Sequence, residues 1–578
     1  MLGCGYMKRT VWKLGNLRQY LPFLSVIFAV FGAILLVFFL RNVENGAPAI
    51  LLFSGAVLLG LGNALAFLTV DDYKVHFFFV LYITTFFLLA MYDIRFGVMQ
   101  GSDITLEYTS AKITVTDGNW LLSRADQGER YFSSVSVSLI PAVMAKITGL
   151  DLMPLFQWVM RLIIAILPIV VFMAVKEIFR NVKLAALSAL IFSQLYFNFN
   201  LLTFLVRQGL AEIFLILTIF LLVRLHKTKS NSLAYAILLT FSMFGIVISH
   251  YTLNYWSIIM IVGIFTLCFM VGVLPKKLLS WIKIINLKME KPIINIVFLT
   301  FFIVSTGFWI YFTNLTSFLI DIHDELYLLS PNVRVALGSS VSQSSWILNN
   351  PAGPIVGFWF DATALLIPIG FLYVSFKMPK RSRHMPWLGG GLVMLAAMAF
   401  WVVAGSRALG LYLDRIYVMG APFFTAFAAI PLLLMDRKLK ILTILFLLFN
   451  LPLNMVLPSY QRYVLYRPEE LVSPKIAVIQ RIIRIPEFTA SVWLDRHANK
   501  DSIFYTDFIE SWFYARYRIT FATPDGNPAN STNTYFVLHY YNLKYGLWQG
   551  SEEFPVDSFL NNCSISYSNG EAAIAIRR

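Results

Sequence analysis

The sequence predicts a polytopic α-helical membrane protein with about thirteen spanning helices, and three observations carry that prediction. First, of 578 residues 58% are apolar and 13% charged, with a mean hydropathy of +0.70, whereas a soluble domain has about 45–50% apolar and about 25% charged residues. Second, apolar runs of about 20 residues, the length of a spanning helix, recur along the chain. Third, Lys and Arg gather in short segments between alternate pairs of these runs. This composition excludes a soluble enzyme and a nucleic-acid-binding domain despite a net charge of +15. The three cysteines form no disulfide framework.

The runs centre near residues 31, 58, 84, 168, 192, 216, 241, 262, 303, 365, 396, 423 and 450. The first 20 residues carry Lys8, Arg9, Lys13 and Arg18. The run after them is long enough to stay as an anchor, so no cleaved signal peptide is expected. The apolar piece 131–148 holds Pro141 between polar flanks and reads as interfacial or re-entrant. With the N-terminus in the cytoplasm, the inside segments are 1–20, 70–74, 175–183, 224–231, 275–291, 377–384 and 436–440. They hold 23 Lys and Arg against five acids. The outer loops and spans up to 456 come to −3, and 457–578 to zero with 12 residues of each sign. The short loops therefore agree on orientation, and thirteen spans leave the C-terminal region outside a multi-pass plasma-membrane protein. The basic charge is a topology signal and a contact for anionic membrane lipids, with no nucleic-acid partner expected.

Three parts follow from this layout. Residues 1–74 are a cytoplasmic segment with two spans, and 75–456 are the main membrane region with long outer loops at 96–157 and 314–354. Residues 457–578 have the composition of a soluble domain. Within that last part, 486–498 reads as a short helix around Phe488, Val492 and Trp493. IFYTD (503–507) and TYFVLHYY (534–541) read as strands, and SISYS and AAIAI as a hairpin turning at Asn569-Gly570. The expectation is a small α/β extracytoplasmic domain.

The first outer loop holds the stretch MYDIRFGVMQGSDITLEYTSAKITVTDGNW, 91–120. Wound as a helix from Asp103, it places Ile104, Tyr108, Ala111 and Val115 on one stripe and Asp103, Glu107 and Ser110 on the opposite face. Two carboxylates one turn apart suit a divalent metal or the removal of a proton from a hydroxyl. An N-capping aspartate on an ordinary amphipathic helix is the plainer alternative. Charges inside spans are costly, and those present fall near the outer ends. Arg207, Gln208 and Glu212 open the sixth span, and His250-Tyr251 joins the seventh and eighth. Asp361 lies in the tenth, and Arg407, Asp414 and Arg415 flank the turn between the eleventh and twelfth. Arg is suited to phosphate through its donor fork. Each has a bland reading: Arg207 pairing with Glu212, Asp414 and Arg415 snorkelling to headgroups, His250 satisfied between helices. The acidic run DIHDE (321–325) fits a solvated loop better than a metal site. Asn314, Asn530 and Asn562 head N-x-S/T patterns. Cys268 in a span and Cys563 in the last part support no redox or metal chemistry.

GSDITLEY (101–108), DGNW (117–120), LVRQGLAE (205–212), SHYTLNY (249–255) and LDRIY (413–417), with the layout of 75–440, resemble the GT-C class of membrane glycosyltransferases. The likeness is greatest to archaeal and bacterial members with long N-terminal extensions. The resemblance implies an inverting transferase working at the outer membrane face. Its donor would be a polyprenyl-phosphate or dolichyl-phosphate sugar, and its acceptor a glycan, lipid or protein, as in cell-surface glycan assembly. It further implies Asp103, with Glu107 beside it, as the base or as a ligand of a divalent metal such as Mg or Mn. Arg207, His250, Arg415 and Arg407 would hold the donor phosphate. The chain differs from the class in its two additional leading spans and in lacking a second acidic motif at 199–206. The competing reading is a transporter or flippase for a lipid-linked sugar or other amphiphile, which would place ionisable residues or broken helices near the midplane. An oligosaccharide polymerase or ligase is a third.

Overall fold

The structure is a computed structural model and describes residues 3–42, 47–97, 99, 102–120, 130–195, 199, 202–227, 232–273, 296–313, 365–375, 385–404, 413–434, 443, 445–446, 448–450, 490, 493–494 and 497, with seven strands between 503 and 577. Among these, five helices are long and apolar enough to cross a membrane: Gln19–Asn42, Ile50–Thr69, Lys74–Phe96, Leu152–Phe179 and Val206–Leu225. They fall on the runs expected near 31, 58, 84, 168 and 216. Shorter apolar helices, among them Val182–Gln194, Leu233–Ser249, Tyr251–Ile264, Val297–Phe312 and Tyr417–Leu433, lie on other expected runs. The full count of thirteen spans remains a sequence-based expectation.

The helices are α1 (Gly3–Asn42), α2 (Ala49–Thr69), α3 (Lys74–Phe96), α4 (Ser102–Asp117) and α5 (Val135–Thr148). Then come α6 (Leu152–Phe179), α7 (Val182–Gln194), α8 (Val206–Lys227), α9 (Ser232–Ser249) and α10 (Tyr251–Val273). The last are α11 (Ile296–Phe312), α12 (Leu365–Ser375), α13 (Met385–Ala404) and α14 (Leu413–Leu434). Small residues set the closest approaches. A Cβ at Gly32 of α1 would stand 2.7 Å from the Gly55 carbonyl oxygen and the Leu59 nitrogen of α2, so only glycine allows these backbones to meet. Polar side chains bridge other helices in the buried interior. Asn63 of α2 donates to Thr84 Oγ1 of α3 at 3.0 Å, and Thr306 of α11 donates to Asn254 Oδ1 of α10 at 3.1 Å.

Ion pairs tie helix ends. Arg224 of α8 meets Glu177 of α6 at 2.9 Å. Lys183 of α7 donates to the Phe67 and Leu68 carbonyls of α2 at 2.8 and 3.0 Å and lies 3.2 Å from Asp71. Its ammonium thus adds a donor to carbonyls of the last turn of α2, of which Phe67 also accepts the Val70 N–H at 3.5 Å. These four charged residues belong to the segments expected inside. The opposite ends of α6 and α8 carry the candidate site.

The C-terminal strands are β1 (Ile503–Tyr505), β2 (Arg518–Thr520), β3 (Thr534–Leu538), β4 (Leu547–Trp548), β5 (Ser551–Pro555), β6 (Cys563–Ser568) and β7 (Ala573–Arg577). Five form one sheet in the order β2-β1-β3-β7-β6, parallel at β2-β1-β3 and antiparallel beyond; β4 and β5 pair separately. The expected hairpin exists, but the pairing of Ser568 with Ala573 leaves four residues between the strands where a two-residue turn was expected. A register shift between Ile565 and Tyr567 accompanies it, and a bulge of this kind changes which residues face each other across a ladder.

Candidate functional site

The stretch read as a helix from Asp103 is helix α4, Ser102–Asp117. Its apolar stripe is buried in its first three members, Ile104 and Ala111 completely and Tyr108 edge-on against Phe156 of α6 with ring centres 5.8 Å apart, while Val115 is half-buried. The opposite face is not open, however. Glu107 is 0% exposed and Ser110 is also buried. A carboxylate faces into protein at such a cost only where groups of opposite polarity meet it, and here the start of α8 supplies them.

The Glu107 Oε2 atom accepts the backbone N–H of Val206 at 3.1 Å. The first turn of a helix has such donors without internal partners and favours negative charge. Arg207, the next residue, lies between the two carboxylates. Its Nε is 3.6 Å from Glu107 Oε1, and its Nη2 is 3.6 Å from Asp103 Oδ1. The guanidinium is 1% exposed and lies 4.1 Å from the Tyr131 ring centre and 5.3 Å from that of Tyr251. Two aromatic faces around a desolvated cation are worth on the order of 2 kcal/mol each. Even so, Arg207 Nε and Nη1 have no hydrogen-bond partner among the described residues. Tyr131 donates its phenol proton to Asp103 Oδ1 at 2.5 Å. Burial pushes the Tyr131 phenol far above its ordinary range, so it stays a donor. Asp103 is the partly open member, with 16% of its side chain exposed. Burial pushes Glu107 up to about 8, against the pull of Arg207 and of the backbone N–H groups and with a further push from Asp103. At neutral pH Glu107 therefore keeps its proton beside the guanidinium.

The expected residues thus come together in part. Asp103, Glu107 and Arg207 form one cluster. Arg207 does not pair with Glu212: the Glu212 carboxylate accepts from Gln208 at 2.9 Å, because residues four apart share a helix face and residues five apart do not. His250 is buried beside this cluster's Tyr251, its ring stacked on the tyrosine with centres 5.4 Å apart. Its Nδ1 accepts the Leu253 N–H at 3.0 Å, which caps the start of α10 and leaves the proton of a neutral ring on Nε2. Arg415 lies in the first turn of α14, with its side chain outside the described residues, and Arg407 lies outside them altogether, as do Asp361 and the 321–325 run.

The two acidic residues do not fit a divalent metal as they stand. A guanidinium already lies between them, Glu107 is engaged by a helix N-terminus, and Asp103 takes a phenol proton. Among the described residues no group of three or more His, Cys, Asp or Glu side chains is placed to hold a metal ion.

Sequence reasoning missed three residues here and the role of a fourth. Tyr131 and Tyr251 frame Arg207, and although Tyr251 was noted beside His250, no spacing rule links either to Arg207. Asp93 of α3 and Arg161 of α6 form an ion pair with both side chains 0% exposed. Their signal was present: two charges of opposite sign lie within apolar runs, near the ends that flank the same outer loop.

No protein-family model matches the chain, and neither does any curated protein. Among solved structures, the chain is similar to the Archaeoglobus fulgidus oligosaccharyltransferase in its apo form, with a TM-score of 0.45 and 10% identity over 88% of this chain and 75% of that one. The same oligosaccharyltransferase in complex with Zn and sulfate overlaps with a TM-score of 0.40 and 11% identity, covering 74% of this chain and 59% of that one. AglB from the same organism, in complex with an inhibitory peptide and a dolichol-phosphate, gives a TM-score of 0.39 and 11% identity over 88% and 75%. These overlaps are partial, and the functional reading below rests on the site's own residues.

Proposed function

We propose that the chain is a membrane glycosyltransferase that moves a sugar from a polyprenyl-phosphate-linked donor to a hydroxyl-bearing or other nucleophilic group of a glycan, lipid or protein at the outer membrane face. The observation that carries this reading is Arg207. A fully buried guanidinium whose Nη1 has no hydrogen-bond partner among the described residues and whose Nε has only a 3.6 Å contact to Glu107, next to a partly open carboxylate, is arranged for an anionic group that arrives from outside the protein. A lipid-linked phosphate fits, because it can slide in from the bilayer at the depth of a helix end.

In this scheme Asp103 takes the proton of the acceptor as the acceptor atom forms its bond to the anomeric carbon. On the opposite side the bond from that carbon to the phosphate oxygen breaks, its electron pair leaves on the phosphate, and the configuration inverts. Arg207 stabilises the charge that grows on the departing phosphate, in a site shielded from solvent and held by Tyr131 and Tyr251. Glu107, neutral at the working pH, holds the start of α8 in place through Val206. Arrival of the phosphate draws Arg207 from Asp103 and so leaves the base with less counter-charge at the moment it is needed. His250, Arg407 and Arg415 remain candidates for further phosphate contacts.

The test is reconstitution of the purified protein with polyprenyl-phosphate sugars and candidate acceptors. The native protein is expected to consume donor, while Asp103→Ala and Arg207→Ala consume essentially none. A native protein inert toward every such donor, or full turnover in both variants, overturns the reading.

A further inference from the structure

Every residue of the candidate cluster comes from a segment that begins just after a connection. Asp103 and Glu107 follow Gly97, where α3 ends, and Arg207 follows the short helical turn 202–204 that leads into α8. Such connections need something rigid to fix them, because an error of about 1 Å in a reacting group costs on the order of 100-fold in rate. The fixture visible in the structure is one turn of α6. Gln157 Nε2 donates to the Gly97 carbonyl at 2.9 Å, and Arg161 Nη1 donates to the Thr203 carbonyl. Gly97 has φ +72°, the left-handed conformation that stops α3 and turns the chain toward α4. Thr203 is held a second time, its Oγ1 proton shared between the Phe199 carbonyl at 2.6 Å and the Leu89 carbonyl of α3 at 3.1 Å.

Arg161 is itself fixed. Its Nε and Nη2 both lie 3.1 Å from Asp93 Oδ2, with neither side chain exposed. A buried ion pair of this kind contributes little net stability, because desolvation of both charges opposes their attraction, but it fixes geometry. Gln157 lies within a π-helical turn, Leu155–Val159, a local widening of the helix often found near functional sites. The two side chains are four residues apart and reach two different connections, one for each half of the cluster.

We propose that Gln157 and Arg161, anchored by Asp93, are positioning residues that hold the Gly97 and Thr203 connections in fixed register, so that the carboxyl groups of α4 meet Arg207 and the start of α8. Neither residue touches the acceptor or the donor. The proposal draws on the transferase reading only for its activity measurement, and the structural measurement stands apart from it.

The experiment is amide hydrogen exchange on the full-length protein in lipid nanodiscs, with donor turnover measured on the same samples. Gln157→Leu is neutral and of similar volume and leaves the Asp93–Arg161 pair intact, so it is expected to fold. It should speed exchange in 102–110 by about tenfold or more without changing 51–69 or 233–249. Arg161→Gln should do the same in 202–208. Where donor is turned over, both variants should lower kcat by about tenfold or more with the donor KM within about threefold. Arg161→Lys keeps the charge but not the fork and should fall between. Unchanged exchange in 102–110 in folded Gln157→Leu, or acceleration spread evenly over all helices, overturns the proposal. If Arg161→Gln does not fold, the Gln157→Leu result decides alone. A native protein inert toward donors refutes the transferase reading, and the exchange pattern then decides the positioning role by itself.

Discussion

Replacing Glu107 with Gln separates the effect of its charge from that of its shape. Glu107 lies on α4, fully buried, and its carboxyl is raised from 4.5 to about 8, chiefly by loss of water. The direction of the stability effect follows from proton counting. Between these two values the unfolded chain has released the proton that the folded chain keeps, so stability falls as pH rises, and the whole cost is present above about pH 8. At about 1.4 kcal/mol per unit the full span is on the order of 5 kcal/mol, an upper figure because local relaxation and water reduce it. Glu107→Gln keeps the volume and an oxygen to accept the Val206 N–H, which now lies 3.1 Å from Oε2, but it cannot ionise. Thermal unfolding in nanodiscs, followed across the range from about pH 5 to about pH 9, should show the two proteins nearly equal at the acid end. The variant should be the more stable by several kcal/mol at the alkaline end. An equal difference at both ends would mean that Glu107 does not titrate in this window. A variant that loses stability on the alkaline side would mean that an ionised Glu107 pairs productively with Arg207. Either result refutes a neutral Glu107 at neutral pH.

Other perturbations give graded outcomes. Tyr131→Phe keeps a ring over Arg207 and removes the 2.5 Å bond to Asp103; turnover should fall about tenfold, whereas Asp103→Asn should cost about 100-fold or more. Equal losses in steady-state assays would deny Asp103 its separate role. Lys183→Met removes the group that satisfies the Phe67 and Leu68 carbonyls and should lower unfolding stability by about 1 kcal/mol. Asp71→Asn, at a half-exposed partner, should change stability by less than about 0.5 kcal/mol; the reverse ranking in denaturation would show that the ion pair dominates. Gly32→Val places a branched side chain where the α2 backbone is 2.7 Å from a Cβ and should cost about 1–3 kcal/mol. An unchanged melting curve would mean that α1 and α2 do not touch there.

The spans were legible in proportion to how little they depend on the rest of the chain. Near 31, 58, 84, 168 and 216 a run of apolar residues alone meets the requirement of the bilayer, and those runs are the five long helices. The strands at 503–505 and 534–538 were legible for a similar reason, since β-branched and aromatic residues favour a pleated, half-buried surface. The hairpin turn was not, because its length is set by the register of β6 against β7, bulge included, and Asn569-Gly570 alone cannot fix that register.

The site divides along the same line. Asp103 and Glu107 were legible because one helical turn brings them together, and both meet the same guanidinium. The partner of Arg207 was decidable locally only by elimination. Five residues turn a helix by about 140° past a full circle, so Glu212 points away, while the four-residue step from Gln208 lands on the same face. The true partners lie about a hundred positions upstream, and no periodicity reaches that far. Depth does. A guanidinium or a carboxylate buried in a span must find its opposite at the same level, or the cost of desolvation stands uncompensated. Applied to Asp93, in an apolar run beside the first outer loop, that rule narrows its partner to the arginines at the same level, Arg95 and Arg161, of which it meets Arg161. Applied to Arg207, it selects the acids of that same loop. Reading buried charges by level across spans, rather than by distance along the chain, is therefore what narrows both pairs to a few candidates in this sequence.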